Sequence, residues 1–188
     1  MEIQDRVIES GDFMRLFHVS EEENITVFEP RIPDRNDLDK NVGLVWAIDE
    51  ACLPNFLTPR DCPRVTYHVG KNTTEQDINA FFSSPTVHHA VVIEHDWFDK
   101  MRHTTLYLYE FDIADFELQD ANAGYYVAKS KQTPIAKHTI TDLFTALIDR
   151  NVEIRITDNL QSIADAVKVS TLQWSLCRMG NAKPKKKE

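Results

Sequence analysis

Glycine is scarce in this sequence, with five among 188 residues. No P-loop, Gly-x-Gly-x-x-Gly fingerprint or Gly-x-Ser-x-Gly elbow can be assembled from them. That excludes the common glycine-built phosphate cradles and the strained hydrolase nucleophile turn. His-Glu-x-x-His is missing too. Cysteine is scarcer still. Cys52, Cys62 and Cys177 are odd in number and form no CxxC pair. Neither a disulfide framework nor a zinc site is expected, and each thiol reads as a small core residue. A reducing, cytoplasmic setting is consistent with this usage. No apolar run reaches the roughly 18–20 residues of a membrane helix. Met1 to Asp12 mixes charged and isolated apolar residues, unlike a secretory leader. No membrane partner is expected.

Positive charge is in deficit: 21 Lys and Arg against 30 Asp and Glu leave a formal charge of −9. Such a field repels polyanions, so a nucleic-acid partner is disfavoured. The basic stretch Lys183 to Lys187 is the local exception, and 181–188 reads as a disordered, solvated tail. With 42% hydrophobic and 27% charged residues, the rest has ordinary globular composition. One α+β domain is expected over 14–180, after a weakly structured extension over 1–13. Met14 stands directly before the first strand pattern and is a candidate alternative start.

Strand patterns recur along the chain. Arg15–Val19 reads as a short strand, and Ser20 with Glu23 has capping-box spacing for a helix. Gly43–Ile48 is continuously apolar, and Asp49 to Thr58 follows as a short helix. Arg64–Val69 alternates, with Val65, Tyr67 and Val69 on one face and Arg64, Thr66 and His68 on the other. Further strands are expected at Ala90–Glu94, Thr105–Phe111, Phe116–Leu118, Tyr125–Ala128 and Val152–Ile156. The clearest helix is Thr141–Arg150, with Leu143, Phe144, Leu147 and Ile148 on one face. Another is expected after Asp158, and Ser170–Arg178 is ambiguous. Strands come in runs, which favours a mixed or antiparallel sheet with flanking helices over a doubly wound one.

Several residues are candidates for chemistry. His18 and Ser20 share a strand face and can together hydrogen-bond a ribose; a backbone-satisfied His is the plain alternative. Arg60 and Arg64 bracket a proline-bounded turn and suit a phosphate, or equally an ion pair with a nearby carboxylate. Trp46 is a stacking platform or a core residue. Glu110 is a carboxylate at a cleft edge or a solvated strand residue. The seven histidines invite a metal, but His88 and His89 are adjacent and point to opposite strand faces, so no metal is expected.

The stretches Leu16-Phe17-His18-Val19-Ser20-Glu21-Glu22, Phe28-Glu29-Pro30-Arg31, Val45-Trp46-Ala47-Ile48-Asp49-Glu50, Leu53-Pro54-Asn55-Phe56-Leu57 and Pro59-Arg60-Asp61-Cys62-Pro63-Arg64 carry a resemblance. From Met14 to about Ala182 the chain resembles an uncharacterised bacterial domain family of unknown function. At fold level it also resembles the ADP-ribosyltransferase-like superfamily, with its RNA 2′-phosphotransferase branch. That second resemblance implies a split sheet and NAD as cofactor. It implies that His18, with Ser20, contacts the adenosine ribose and that Trp46 packs on nicotinamide. It also aligns Tyr125-Tyr126-Val127 with a strand that opens on the catalytic Glu. Here that position is Tyr125, a neutral phenol at pH 7, where a carboxylate would stabilise an oxocarbenium-like centre. Arg31, Arg60 and Arg64 are the basic residues available for a phosphotransferase-like role. The catalytic candidates are thus Tyr125 and Glu110, and two functions stay open. One is an NAD- or nucleotide-binding ADP-ribosyltransferase-like domain. The other is a non-catalytic module for a small molecule or protein.

Overall fold

The computed structural model describes residues 14–33 and 39–185. The proposed extension 1–13, residues 34–38 and the tail end 186–188 lie outside the described residues. The strands run in order β1 (Leu16–Ser20), β2 (Val45–Asp49), β3 (Arg64–His68), β4 (His89–Glu94) and β5 (Leu106–Phe111). Then come β6 (Glu117–Asp120), β7 (Tyr125–Ala128), β8 (Ala136–Ile140), β9 (Val152–Thr157) and β10 (Gln173–Cys177). The helices are α1 (Glu75–Phe81), α2 (Phe98–His103), α3 (Leu143–Ile148) and α4 (Gln161–Lys168).

Among the described residues the strands form two sheets. A six-stranded sheet has the order β6-β7-β2-β1-β5-β8, and a four-stranded sheet the order β10-β3-β4-β9. All ladders are antiparallel except β4–β9. This is the mixed α+β architecture expected from the runs of strands.

The period-two alternation of each strand divides the molecule into layers. Phe17, Ile48, Leu106 and Leu108 of the large sheet meet Val91, Ile93 and Val152 of the small sheet, joined by Met101, Leu143 and Leu147 of α2 and α3. The other face of the small sheet, Val65, Tyr67, Ala90 and Val92, is covered by Leu160, Ala164 and Val167 near and on α4. The other face of the large sheet, Leu16, Val45, Ala47, Tyr109 and Phe111, is covered by Phe28 from the loop after β1. Three apolar layers therefore enclose two sheets, and β1 buries residues on both sides.

Local chemistry fixes the ends. Thr74 caps α1 by accepting from Asp77 N at 3.3 Å, and Asp142 caps α3 by accepting from Thr145 N at 3.0 Å. Gly124 has φ +67, and a Cβ there would lie 2.7 Å from Asp49 Oδ1 and Cys52 Cβ. Only glycine suits that turn, which leads into β7.

Four expectations need correction. Ser20 does not cap a helix; its Oγ accepts from Glu22 N at 3.0 Å and closes a tight turn. The helix over Asp49–Thr58 shrinks to a single 3-10 turn at Leu53–Phe56, with Pro54 in its first turn. The polar edge strand β8 escaped the alternation test because His138 and Thr139 interrupt it. The tail is not disordered over 181–185. Buried Glu94 accepts from Lys183 N at 3.1 and 3.2 Å and from Leu160 N at 3.2 Å, next to the start of α4. Lys183 Nζ meets Asp96 at 3.0 Å, and Lys185 Nζ meets Asp165 at 2.8 Å.

Glu94→Ala will orphan both amide donors and lower stability by about 3 kcal/mol. It will also speed trypsin cleavage at Lys185. Urea melts and timed digestion measure both, and wild-type values in both would refute this role for Glu94.

Candidate functional site

The two sheets do not meet with equal polarity along their width. On the β4–β9 side the inner face of the small sheet is apolar: Val91, Ile93, Val152 and Ile154. On the β3–β10 side it is polar. Register pairs Arg64 with Cys177, Thr66 with Ser175 and His68 with Gln173, all on the face shared with Val91. Arg64 and Thr66 are buried, whereas His68, Gln173, Ser175 and Cys177 are partly exposed. Opposite them the large sheet presents Trp46 and Tyr125. Their rings stand edge to face at 5.4 Å, and Phe56 lies 5.8 Å from Tyr125. Trp46, Phe56, Tyr125, His68, His89, Gln173 and Ser175 are all only partly buried. The inward faces of the two sheets are thus partly exposed along this seam, aromatic on the large sheet and hydrogen-bonding on the small one.

Burial keeps the polar wall neutral. His68 and His89 stack at 5.1 Å. His89 Nε2 and Asn55 Oδ1 lie 2.8 Å apart, the ring N–H donating. Desolvation, with His68 alongside, pushes the His89 pKa down to about 3. Desolvation also lowers His68, against the pull of Asp49. Arg64 is buried in the frame of this wall. Its Nε donates to Asn55 O at 2.7 Å, its Nη1 to Cys62 O at 3.0 Å, and its guanidinium lies over the Phe56 ring. Arg64 thus directs Nε and Nη1 to loop carbonyls. In the same loop Thr58 Oγ1 is buried with no hydrogen-bond partner among the described residues.

Cationic groups gather where β3 begins and β10 ends. Arg60 is exposed, and Arg178 Nε donates to its carbonyl at 3.3 Å. Arg178 directly follows β10 and holds a left-handed backbone, φ 54. A non-glycine residue in that region costs about 1 kcal/mol or more and marks a place worth functional attention.

His18 sits elsewhere. The β1–β2 register, Leu16 with Asp49 and Phe17 with Ile48, sends His18 to the face opposite Trp46. Its ring packs 4.8 Å from Phe28, and Nδ1–H donates to the Trp46 carbonyl at 3.0 Å. Burial lowers its pKa despite that bond, and the positive charges of Arg31 and Arg60 add to the shift. The structure thus brings Trp46 together with Tyr125, and His18 near Arg31 and Arg60, but not His18 with the Trp46 and Tyr125 rings. Ser20 spends its hydroxyl as an acceptor on the turn.

Glu110 is not a free carboxylate. Arg15 grips it twice, Nε to Oε1 at 2.9 Å and Nη2 to Oε2 at 2.8 Å, and His138 Nε2 donates to Oε2 at 2.8 Å. These bonds, led by Arg15, hold its pKa at about 2. The network edges a shallow groove of about 390 Å³ between the large sheet and α3, with Phe17, Leu108 and Ile140 as its floor.

Sequence reasoning passed over His68, His89, Asn55, Gln173, Ser175 and Arg178. The usable signal was the face Arg64, Thr66, His68. A strand inside a sandwich with one wholly polar face needs hydrogen-bond partners or solvent on that side.

Acid will destabilise the fold through the histidines. Unfolded His89 binds a proton below about 6.5, but folded His89 only near 3, so stability is complete above pH 6.5 and falls as pH drops between them. The loss by pH 4 is about 3 kcal/mol from this group. His89→Gln will flatten the urea-midpoint profile between pH 6.5 and 4.5; an unchanged slope would refute the assignment.

No curated protein and no solved structure matches the chain. Among the described residues no helix is long and apolar enough to cross a membrane. A family model does match residues 17–182, nearly the full described span, and by that match the chain belongs to DUF6886, a family of unknown function.

Proposed function

We propose that this domain binds a nucleotide-class small molecule, NAD or a relative, in the seam between its sheets, and that it acts there as a binding module. The observation carrying this reading is the polar inner face of β3 and β10 set against the half-buried Trp46 and Tyr125. Aromatic faces suit a planar base, at about 1–3 kcal/mol per stacked base. Neutral imidazoles, an amide and hydroxyls supply both donors and acceptors for its polar edge. Arg178, exposed where β10 ends, suits a phosphate.

The reading favours binding over ADP-ribosyl transfer because the wall lacks a free carboxylate at the key place. Tyr125 stands where the superfamily resemblance puts a Glu, and Glu110 is occupied by Arg15 and His138. His18, on the far face of β2, supports the walls through the Trp46 carbonyl and is a positioning residue in this scheme.

Calorimetric titration with NAD, ADP-ribose and ATP tests it. Saturable heat is expected for at least one of them, weakened about tenfold by Trp46→Ala. Arg178→Ala should weaken NAD, ADP-ribose and ATP more than adenosine. An absence of heat with all three at millimolar concentration would sink the proposal.

A further inference from the structure

We propose that β10 is an assembly edge, through which two copies of this chain pair antiparallel about Ser175 and join their small sheets into one. This does not depend on the ligand reading. The two sheets end in four edge strands among the described residues: β6, β8, β9 and β10. Exposed edges invite pairing, and proteins guard them with charge, bulges or irregularity. Three of these edges are guarded. Strand β6 carries Glu117 and Asp120 and a register shift between Leu118 and Asp120. Strand β8 carries Lys137 and His138, and β9 carries Glu153 and Arg155. Strand β10, Gln173-Trp174-Ser175-Leu176-Cys177, has no charged residue, no proline and no bulge against β3.

Charge selects the occupant. Two copies of a chain of formal charge −9 repel each other wherever carboxylates face. Among the four edges, β10 alone brings no charge against its own copy. It is also self-complementary. Thr66 Oγ1 reaches the Ser175 carbonyl at 3.4 Å, so that carbonyl faces β3, and alternation turns the main-chain groups of Trp174 and Leu176 outward. Pairing centred on Ser175 then sets Trp174 against Leu176 of the second copy, twice, each pair sharing main-chain hydrogen bonds. Trp174 is 41% exposed, and the pairing would cover its indole with an aliphatic neighbour. On the other face Gln173 would meet Cys177 of the second copy. The polar walls of the two seams would become continuous.

Sedimentation velocity over about a hundredfold concentration range tests the proposal by mass action. The expected result is a shift from monomer to dimer. Trp174→Lys places a charge on the edge and should hold the protein monomeric while leaving the far-UV circular-dichroism spectrum that of the folded wild type. Ser175→Cys should give a disulfide-linked dimer on mild oxidation, and the same change in the Trp174→Lys background should not. The proposal is overturned by a protein monomeric throughout, by a dimer that survives Trp174→Lys, or by a dimer that Ser175→Cys fails to cross-link.

Discussion

The strict alternation of side chains along β1 and β2 governs the rest of the molecule. Both strands lie in the middle of the large sheet, and both bury residues on each face. Phe17 and Ile48 commit one face to the core between the sheets. Leu16, Val45 and Ala47 commit the other to the layer under Phe28. A slip of one residue would exchange the two sets, so the register is tightly specified. It also decides what can meet what. His18 must accompany Leu16, and Trp46 must accompany Ile48. No side-chain rotation can bring an imidazole and an indole through a sheet. Residues that look like partners in the order of the chain become neighbours only through the backbone, at the Trp46 carbonyl.

Polar groups inside the molecule fall into two kinds. Arg64 and Glu94 are buried, and their bonds go to main-chain carbonyls and amides of neighbouring loops. They hold the segments around both sheets in place, and buried charges are tolerated on those terms. The residues of the seam are different. Trp46, Tyr125, His68, Gln173 and Ser175 stay partly open and carry mixed chemistry. The Arg15–Glu110–His138 network resembles the first kind. It ties the start of β1 to β5 and β8, and its carboxylate accepts three hydrogen bonds.

Much of the architecture was legible in the sequence, because burial leaves a periodic trace. The stripe in α3, the alternation in β3 and the apolar run of β4 are legible with nearly correct limits. Strand β8 was not, since an edge strand with Lys137, His138 and Thr139 has too little apolar surface to show a period. The Ser20 spacing suggested a helix, but the chain there must cross the large sheet to deliver Phe28, and tertiary packing overrode the local signal. The candidate site was only partly legible. Trp46 and Tyr125 do come together, whereas Gln173 and Ser175 reach the seam by a pairing between distant segments that no local pattern reveals. The anchoring of Lys183 was hidden for the same reason: its partner Glu94 belongs to the middle of the chain.

The pairing of β3 with β10 sets the timing of self-assembly. Strand β3 is made early, and its neighbour on one side is among the last strands to be synthesised. Ladders between remote segments form slowly, because the intervening chain must be closed into a loop before any contact rewards it. On a ribosome the open flank of β3 therefore waits, with Val65 and Tyr67 in need of cover, until residues 173–177 emerge. That waiting interval is when this protein is most exposed to misfolding and most dependent on chaperones.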